Sequence, residues 1–123
     1  FFGENPLENI NLENFSGAHL FVKEVENPEE FGVMEIDKDG NAIDIYEKPK
    51  EYISNLAVVG IYIYDTSCFE NIRKLTPSNR GELEITDLNK IYLDQKKVLS
   101  KVLSSWWIDA GTPERIEELK KLI

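Results

Sequence analysis

The sequence is poor in the residues on which most metal and redox chemistry relies, with one cysteine, Cys68, and one histidine, His19, in 123 residues. A single cysteine excludes an internal disulfide and any multi-cysteine metal site, and it suits a reducing compartment. His19 stands alone in a strand-like stretch, a setting for a surface or packing residue rather than a catalyst, and it is assigned no role. Positive charge is scarce as well: 14 Lys and Arg face 23 Asp and Glu, for a net charge of −9. No basic stripe could follow a phosphate backbone, so nucleic acid is not an expected partner. No apolar run nears the roughly 20 residues that cross a bilayer, and the start lacks the basic segment and long apolar core of a signal peptide. The expectation is a soluble, cytoplasmic protein with no membrane partner. An anionic ligand would then be held by a few local cations against the overall field, with Lys48, Lys50 and Arg80 as the candidates.

What the sequence does have is β-strand character at its centre. Residues 42–47 (AIDIYE) and 57–64 (AVVGIYIY) are rich in Ile, Val and Tyr and are bounded by turn-formers. Strands are also predicted at 18–25, 31–36 and 96–103, with Asp39-Gly40 as a hairpin turn. The acidic run 37–41 is read as that turn rather than a calcium loop, since its glycine falls at the fourth position and no Glu stands at the twelfth. A helix is predicted after Ser67, where Ser67 and Glu70 have capping-box spacing and Phe69, Ile72 and Leu75 share a face. A second starts at Glu82 or Glu84, with Leu88, Ile91 and Tyr92 at helical spacing. A third follows Thr112 as N-cap and Pro113, with Ile116, Leu119 and Ile123 as its buried face. Trp106-Trp107-Ile108 reads as a short strand, and residues 1–15 as a loop with a helical turn. This succession predicts a layered α/β fold. The 41% apolar content over this length suits one compact domain, 1–123, or a large piece of one.

Between the two central strands stands Glu47-Lys48-Pro49. A proline ends a strand and holds the preceding lysine extended, so this pair of charges should sit at a strand end, where open α/β sheets build ligand sites. The Glu47 carboxylate can accept from sugar hydroxyls and the Lys48 ammonium suits a phosphate; equally, the two form a solvated pair beside a turn. Asp109, ahead of the small-residue turn Ala110-Gly111, is either a rigidly held ligand or a turn aspartate. Arg80, in a Ser/Asn/Gly loop, either clamps a phosphate or is solvated.

Taken in order, FGVMEID (31–37), YEKPKE (46–51), SNLAVVGIYIYD (54–65), RGELEITDLNKIYL (80–93) and WWIDAGTPE (106–114) make the sequence similar to the sugar-1-phosphate nucleotidyltransferases. RGELEITD is the part most particular to their thymidylyl branch. The resemblance implies a mixed-sheet, Rossmann-like nucleotide-diphospho-sugar transferase fold. It also implies attack of a sugar 1-phosphate oxygen on the α-phosphorus of a nucleoside triphosphate, with Mg2+ as cofactor and pyrophosphate as leaving group. The implied substrates are dTTP and glucose 1-phosphate, and the product dTDP-glucose. By position, Phe31 and Gly32 would edge the sugar pocket, Glu47 would accept from sugar hydroxyls, and Lys48 and Arg80 would hold the sugar phosphate. Val58, Gly60 and Tyr62 would line the site, and Trp107 would stand beside Asp109, a Mg2+ ligand. The family's glycine-rich triphosphate loop and its Gly-Asp-Asn segment have no counterpart here. The resemblance therefore implies the C-terminal, sugar-binding half of an enzyme, incomplete without its nucleotide-binding half, inactive alone and homo-oligomeric at full length. Tyr46 replaces a frequent Glu and Val59 a frequent Thr. The alternatives are a uridylyl- or cytidylyltransferase and a non-catalytic sugar-phosphate-binding or assembly module.

Overall fold

The structure, a computed structural model, describes residues 7, 8 and 10–123. Of the loop predicted over 1–15, residues 1–6 and 9 lie outside the described residues; within the rest, the Ile10 N–H donates to the Leu7 carbonyl. Five strands follow from the β-branched and aromatic runs: β1 (Ala18–Glu24), β2 (Gly32–Ile36), β3 (Ala42–Glu47), β4 (Leu56–Tyr64) and β5 (Val98–Val102). They form one mixed sheet in the order β3-β2-β4-β1-β5, antiparallel except for the β1–β5 pair. The β2–β3 hairpin closes as the sequence predicts. The Asp37 carboxylate accepts from the N–H groups of Asp39 and Asn41, both at 2.9 Å, and Gly40 takes the positive φ of 83° that the turn requires.

Three helices accompany the sheet: α1 (Cys68–Arg73), α2 (Ile85–Asp94) and α3 (Pro113–Leu122). α2 lays Leu88 and Tyr92 against Ala18, Leu20, Val22, Met34 and Ile45, which forms the larger core. Each such side chain contributes roughly 1.5–3 kcal/mol by leaving water. On the opposite face Phe21, Val59 and Leu103 are buried, with Ile61, Ile63 and Trp107 partly covered beside them. Among the described residues, no helix is long and apolar enough to cross a membrane.

The structure departs from the sequence reading at α1, at α3 and after β5. Ser67 makes no side-chain cap on α1; instead the Asp65 carboxylate accepts from the Ser67 N–H at 3.1 Å and from the Tyr92 hydroxyl at 3.0 Å. That anchor turns Asn71 into the interior and leaves Phe69 63% exposed, so of the predicted apolar face Phe69 and Ile72 are exposed, while Leu75, past the end of α1, packs against the larger core. Of the predicted buried face of α3, Ile116 and Ile123 are exposed and Leu119 is half-buried. Trp106-Trp107-Ile108 is no strand: ladder pairing ends where the Leu103 N–H meets the Val22 carbonyl at 2.8 Å. The polar turn read through Pro28 takes the form of a short 3-10 turn, Pro28–Glu30.

Candidate functional site

β3 ends at Glu47, as the Lys-Pro pair predicts, but Lys48 is not extended. It sits at φ 42°, in the left-handed region, and its N–H donates to the Phe31 carbonyl at 2.9 Å. Closing the end of the β2–β3 ladder overrides the extended preference of a residue before proline. A non-glycine residue held there costs about 1–3 kcal/mol, and such strain clusters at ligand sites. Across the ladder Gly32 pairs with Glu47. A Cβ on Gly32 would stand 3.1 Å from Glu47 Oε2, and the Thr86 hydroxyl donates to the same oxygen at 3.1 Å. The glycine makes room for the carboxylate and the threonine orients it.

Above this point lies a cleft of about 280 Å³, bordered by Phe31, Gly32, Glu47, Val58, Gly60, Tyr62, Trp107 and Asp109. All eight were singled out from sequence. Val58, Gly60 and Tyr62 reach it together because alternate residues of β4 share a face. A Cβ on Gly60 would meet nothing within 4 Å, so this glycine keeps the floor of the cleft open rather than relieving a clash. Phe31 and Trp107 meet edge to face at 5.5 Å and form an apolar wall. The charged groups lining the cleft are the carboxylates of Glu30, Glu47 and Asp109, with no cation among the lining residues. Burial, and then the Glu47 charge, push the Tyr62 phenol above its ordinary range, which keeps it a neutral donor. This lining accepts hydroxyl protons and repels anions.

Lys48 and Arg80 border a neighbouring cavity of about 430 Å³, together with Lys90. Glu47 and Thr86 border both cavities, so a carboxylate-lined cleft and a cation-bearing one share a wall. Arg80 pairs with Glu84 at 2.9 Å and with Glu82 at 3.7 Å. The Arg80 hydrogen bond, followed by that of Ser78, holds the Glu84 carboxyl below its ordinary range. Lys50 lies apart, beside Pro49 and Tyr52 in another depression.

Asp109 is fixed by an arginine that the sequence reading missed. Arg115 donates to Asp109 Oδ2 at 2.7 Å and to Glu30 Oε2 at 2.6 Å. No group of three His, Cys, Asp or Glu among the described residues could hold a metal ion. Mg2+ takes one or two carboxylates with phosphate and water oxygens, and the Asp109 carboxylate is already neutralised by a guanidinium. The described residues therefore do not by themselves fit a resident Mg2+, and no step is derived through one. Also missed were Ile85, Thr86 and Asn89, which line the cleft from α2. The available signal was the (i, i+3) spacing of Thr86 and Asn89 behind Arg80.

A profile of the family described as Nucleotidyl transferase matches residues 8–123. The chain belongs to that family. Among curated relatives, this nucleotidyl transferase chain is 41% identical over 109 residues to the glucose-1-phosphate thymidylyltransferase of Neisseria meningitidis, covering 87% of this chain and 38% of the relative. It is 43% identical over 108 residues to a low-salt glycan biosynthesis nucleotidyltransferase of Haloferax volcanii, covering 87% of this chain and 30% of the relative. Among solved structures, one from Bacillus anthracis assigned to glucose-1-phosphate thymidylyltransferase, in complex with a sucrose, superposes with a TM-score of 0.81 at 44% identity, covering 89% of this chain and 44% of that one. A UDP-glucose pyrophosphorylase complexed with UDP-glucose gives a TM-score of 0.76 at 26% identity, over 86% of this chain and 43% of that one. The chain thus spans less than half the length of each. These matches do not support the predicted placement of the chain in the C-terminal half of such an enzyme.

Proposed function

We propose that the protein carrying this chain transfers a nucleotidyl group from a nucleoside triphosphate to a sugar 1-phosphate, with dTTP and glucose 1-phosphate as substrates and dTDP-glucose and pyrophosphate as products. The observation that carries the reading is the wall shared by the two cavities, with Glu47 and Thr86 between an acidic, hydroxyl-accepting cleft and the cations Lys48, Arg80 and Lys90. A sugar 1-phosphate has the matching polarity, hydroxyls at one end and a dianion at the other. In this reading Glu47 accepts from the ring hydroxyls, and Phe31 and Trp107 cover the C–H faces of the sugar. Lys48 and Arg80 hold the phosphate, Arg80 exchanging its pairing with Glu84 for the ligand. The chain's contribution to rate is positioning, since a phosphate oxygen held in line with the α-phosphorus needs no covalent nucleophile. Relatives named glucose-1-phosphate thymidylyltransferase favour the thymidylyl choice. A need for Mg2+, a homo-oligomer and a cytoplasmic location belong to the same proposal; the exposed apolar residues Ile116, Leu122 and Ile123 of α3 favour assembly.

The test is pyrophosphate release by the full-length protein from glucose 1-phosphate with dTTP, UTP or CTP, with and without Mg2+. The fastest release is expected with dTTP, and Lys48→Ala should lower kcat/KM roughly 10–100-fold. A preference for UTP or CTP would move the assignment to that base. Binding of glucose 1-phosphate without release from any triphosphate would sink the transferase reading in favour of a binding module. No binding at all would sink the site itself.

A further inference from the structure

Arg115 borders a depression beside the cleft that shares Phe31, Trp107 and Asp109 with it, yet it takes no part in the substrate reading above. The two arms of its guanidinium end on carboxylates from distant parts of the chain, Asp109 Oδ2 at 2.7 Å and Glu30 Oε2 at 2.6 Å. Its face lies 5.2 Å over the ring of Phe31, the same ring that meets Trp107 at 5.5 Å. The Arg115 side chain is 22% exposed, while Glu30 and Asp109 are 51% and 46% exposed, so solvent still screens the carboxylate end of each pair. The Arg115 backbone is fixed as well, because its N–H donates to the Thr112 hydroxyl at 3.3 Å. Both Asp109 oxygens lie 3.4 Å from where a Cβ on Gly111 would stand, an ordinary contact distance. Two carboxylates on one planar fork, with an aromatic ring under its face, is an arrangement that a lysine cannot reproduce.

We propose that Arg115 is a positioning residue of the cleft, a resident cation that bridges Asp109 and Glu30 and pins Phe31 against Trp107. The bridge shapes the mouth and closes Asp109 to a divalent cation until the guanidinium is displaced. Its effect on ligand binding rests on the sugar-phosphate reading of the cleft; the bridge itself does not. Without Arg115, the Asp109 and Glu30 carboxylates lose their shared cation, Glu30 keeping only the Asn27 amide as a donor among the described residues, the setting that draws a hard divalent cation.

The test follows the assigned indole N–H resonance of Trp107 in the full-length protein, in wild type, Arg115→Gln, Arg115→Lys and Glu30→Gln, during titration with MgCl2. Each protein is titrated separately with glucose 1-phosphate. Arg115→Gln is expected to shift the Trp107 resonance before any addition, to tighten Mg2+ binding about tenfold and to weaken glucose 1-phosphate about tenfold. Arg115→Lys, which keeps charge but not the fork, should fall between. Glu30→Gln should shift Trp107 without tightening Mg2+, since one carboxylate is gone. A purely structural Arg115 would lower stability and leave Mg2+ affinity unchanged, and that outcome overturns the proposal, as does an unmoved Trp107 resonance. Should Arg115→Gln fail to fold, an unmoved Trp107 in the Lys and Glu30 variants overturns it equally. If Trp107 and Mg2+ respond as expected while no protein binds glucose 1-phosphate, the bridge stands and the substrate reading fails. If wild type binds glucose 1-phosphate and the variants leave both readouts unmoved, the bridge fails and the substrate reading stands.

Discussion

A methyl group on Gly32 would crowd Glu47 Oε2 at 3.1 Å, and the cheapest response is for the glutamate side chain to swing away. Gly32→Ala is therefore expected to leave Tm almost unchanged while weakening glucose 1-phosphate about tenfold by calorimetry, because a site built to pair a hydroxyl loses most when that pairing goes. An unchanged Kd would mean that Glu47 does not act from this position. His19 is a different kind of residue. It stacks at 4.9 Å on Phe21 and 6.4 Å from Phe15, and its buried Nε2 has no hydrogen-bond partner among the described residues. Burial, and then the charge of Lys101, hold its pKa below the ordinary value. A folded pKa below the unfolded one means that the neutral ring favours the fold. That contribution is complete above about pH 6.5 and is lost as pH falls through the folded pKa. Denaturant midpoints should drop between about pH 7.5 and pH 5, and His19→Phe should flatten that part of the profile. In the sequence a lone histidine in a strand reads as a surface or a packing residue; the fold chose the second and supplied the ring partners.

Elements read well where their signal is local and poorly where a distant group decides. The β2–β3 hairpin was legible because Asp37, Gly40 and Asn41 make the turn from their own hydrogen bonds. The α3 start was legible for the same reason, its Thr112 hydroxyl accepting from the Arg115 N–H. The start of α1 was not, since Ser67 and Glu70 have the spacing of a capping box while Asp65 does the work. Asp65 also accepts from the Gly17 N–H at 2.7 Å, tying the entry of β1 to α1 and α2. Burial pushes its carboxyl up, but the hydrogen bonds from Ser67, Gly17 and Tyr92 together hold it below the ordinary range. Its share of stability is thus present above the unfolded carboxylate pKa and lost as pH falls through the folded one. Asp65→Ala should destabilise by about 2 kcal/mol in urea titrations, as expected for lost charged hydrogen bonds; a loss near zero would mean that water replaces the carboxylate fully. At the other end of α2, Lys96 sits at φ 56° just past the C-cap Gln95, a position that glycine fills without strain. Lys96→Gly is expected to add about 0.5–1 kcal/mol and raise Tm, and a lower Tm would mean that the lysine side chain has a role its geometry does not reveal.

On the scale of the whole molecule, β2, β4 and β1 each have a strand on both sides, β2 meeting β4 through the single registered pair Val33–Ala57, while β3 and β5 are the edges of the sheet. Native-state amide exchange should be slowest in β1 and β4 and fast at the outward-facing amides of β3 and β5; uniform protection across the sheet would mean that both edges are covered in solution. The strand runs, the hairpin, the periodicity of α2 and the chemical types at the cleft were determined by the sequence itself. Each depends on neighbours a few residues away, or on side-chain alternation that a strand imposes automatically. Only the tertiary structure decided that β1 lies between β4 and β5, pairing Ala18 with both Tyr64 and Val98. It likewise decided that Phe69 and Ile116 stay exposed on α1 and α3, and that Thr86 meets Glu47 and Arg115 meets Glu30. These are contacts between residues tens of positions apart. A sequence states which groups are available for them, and the packing of the sheet selects which pairs come within reach.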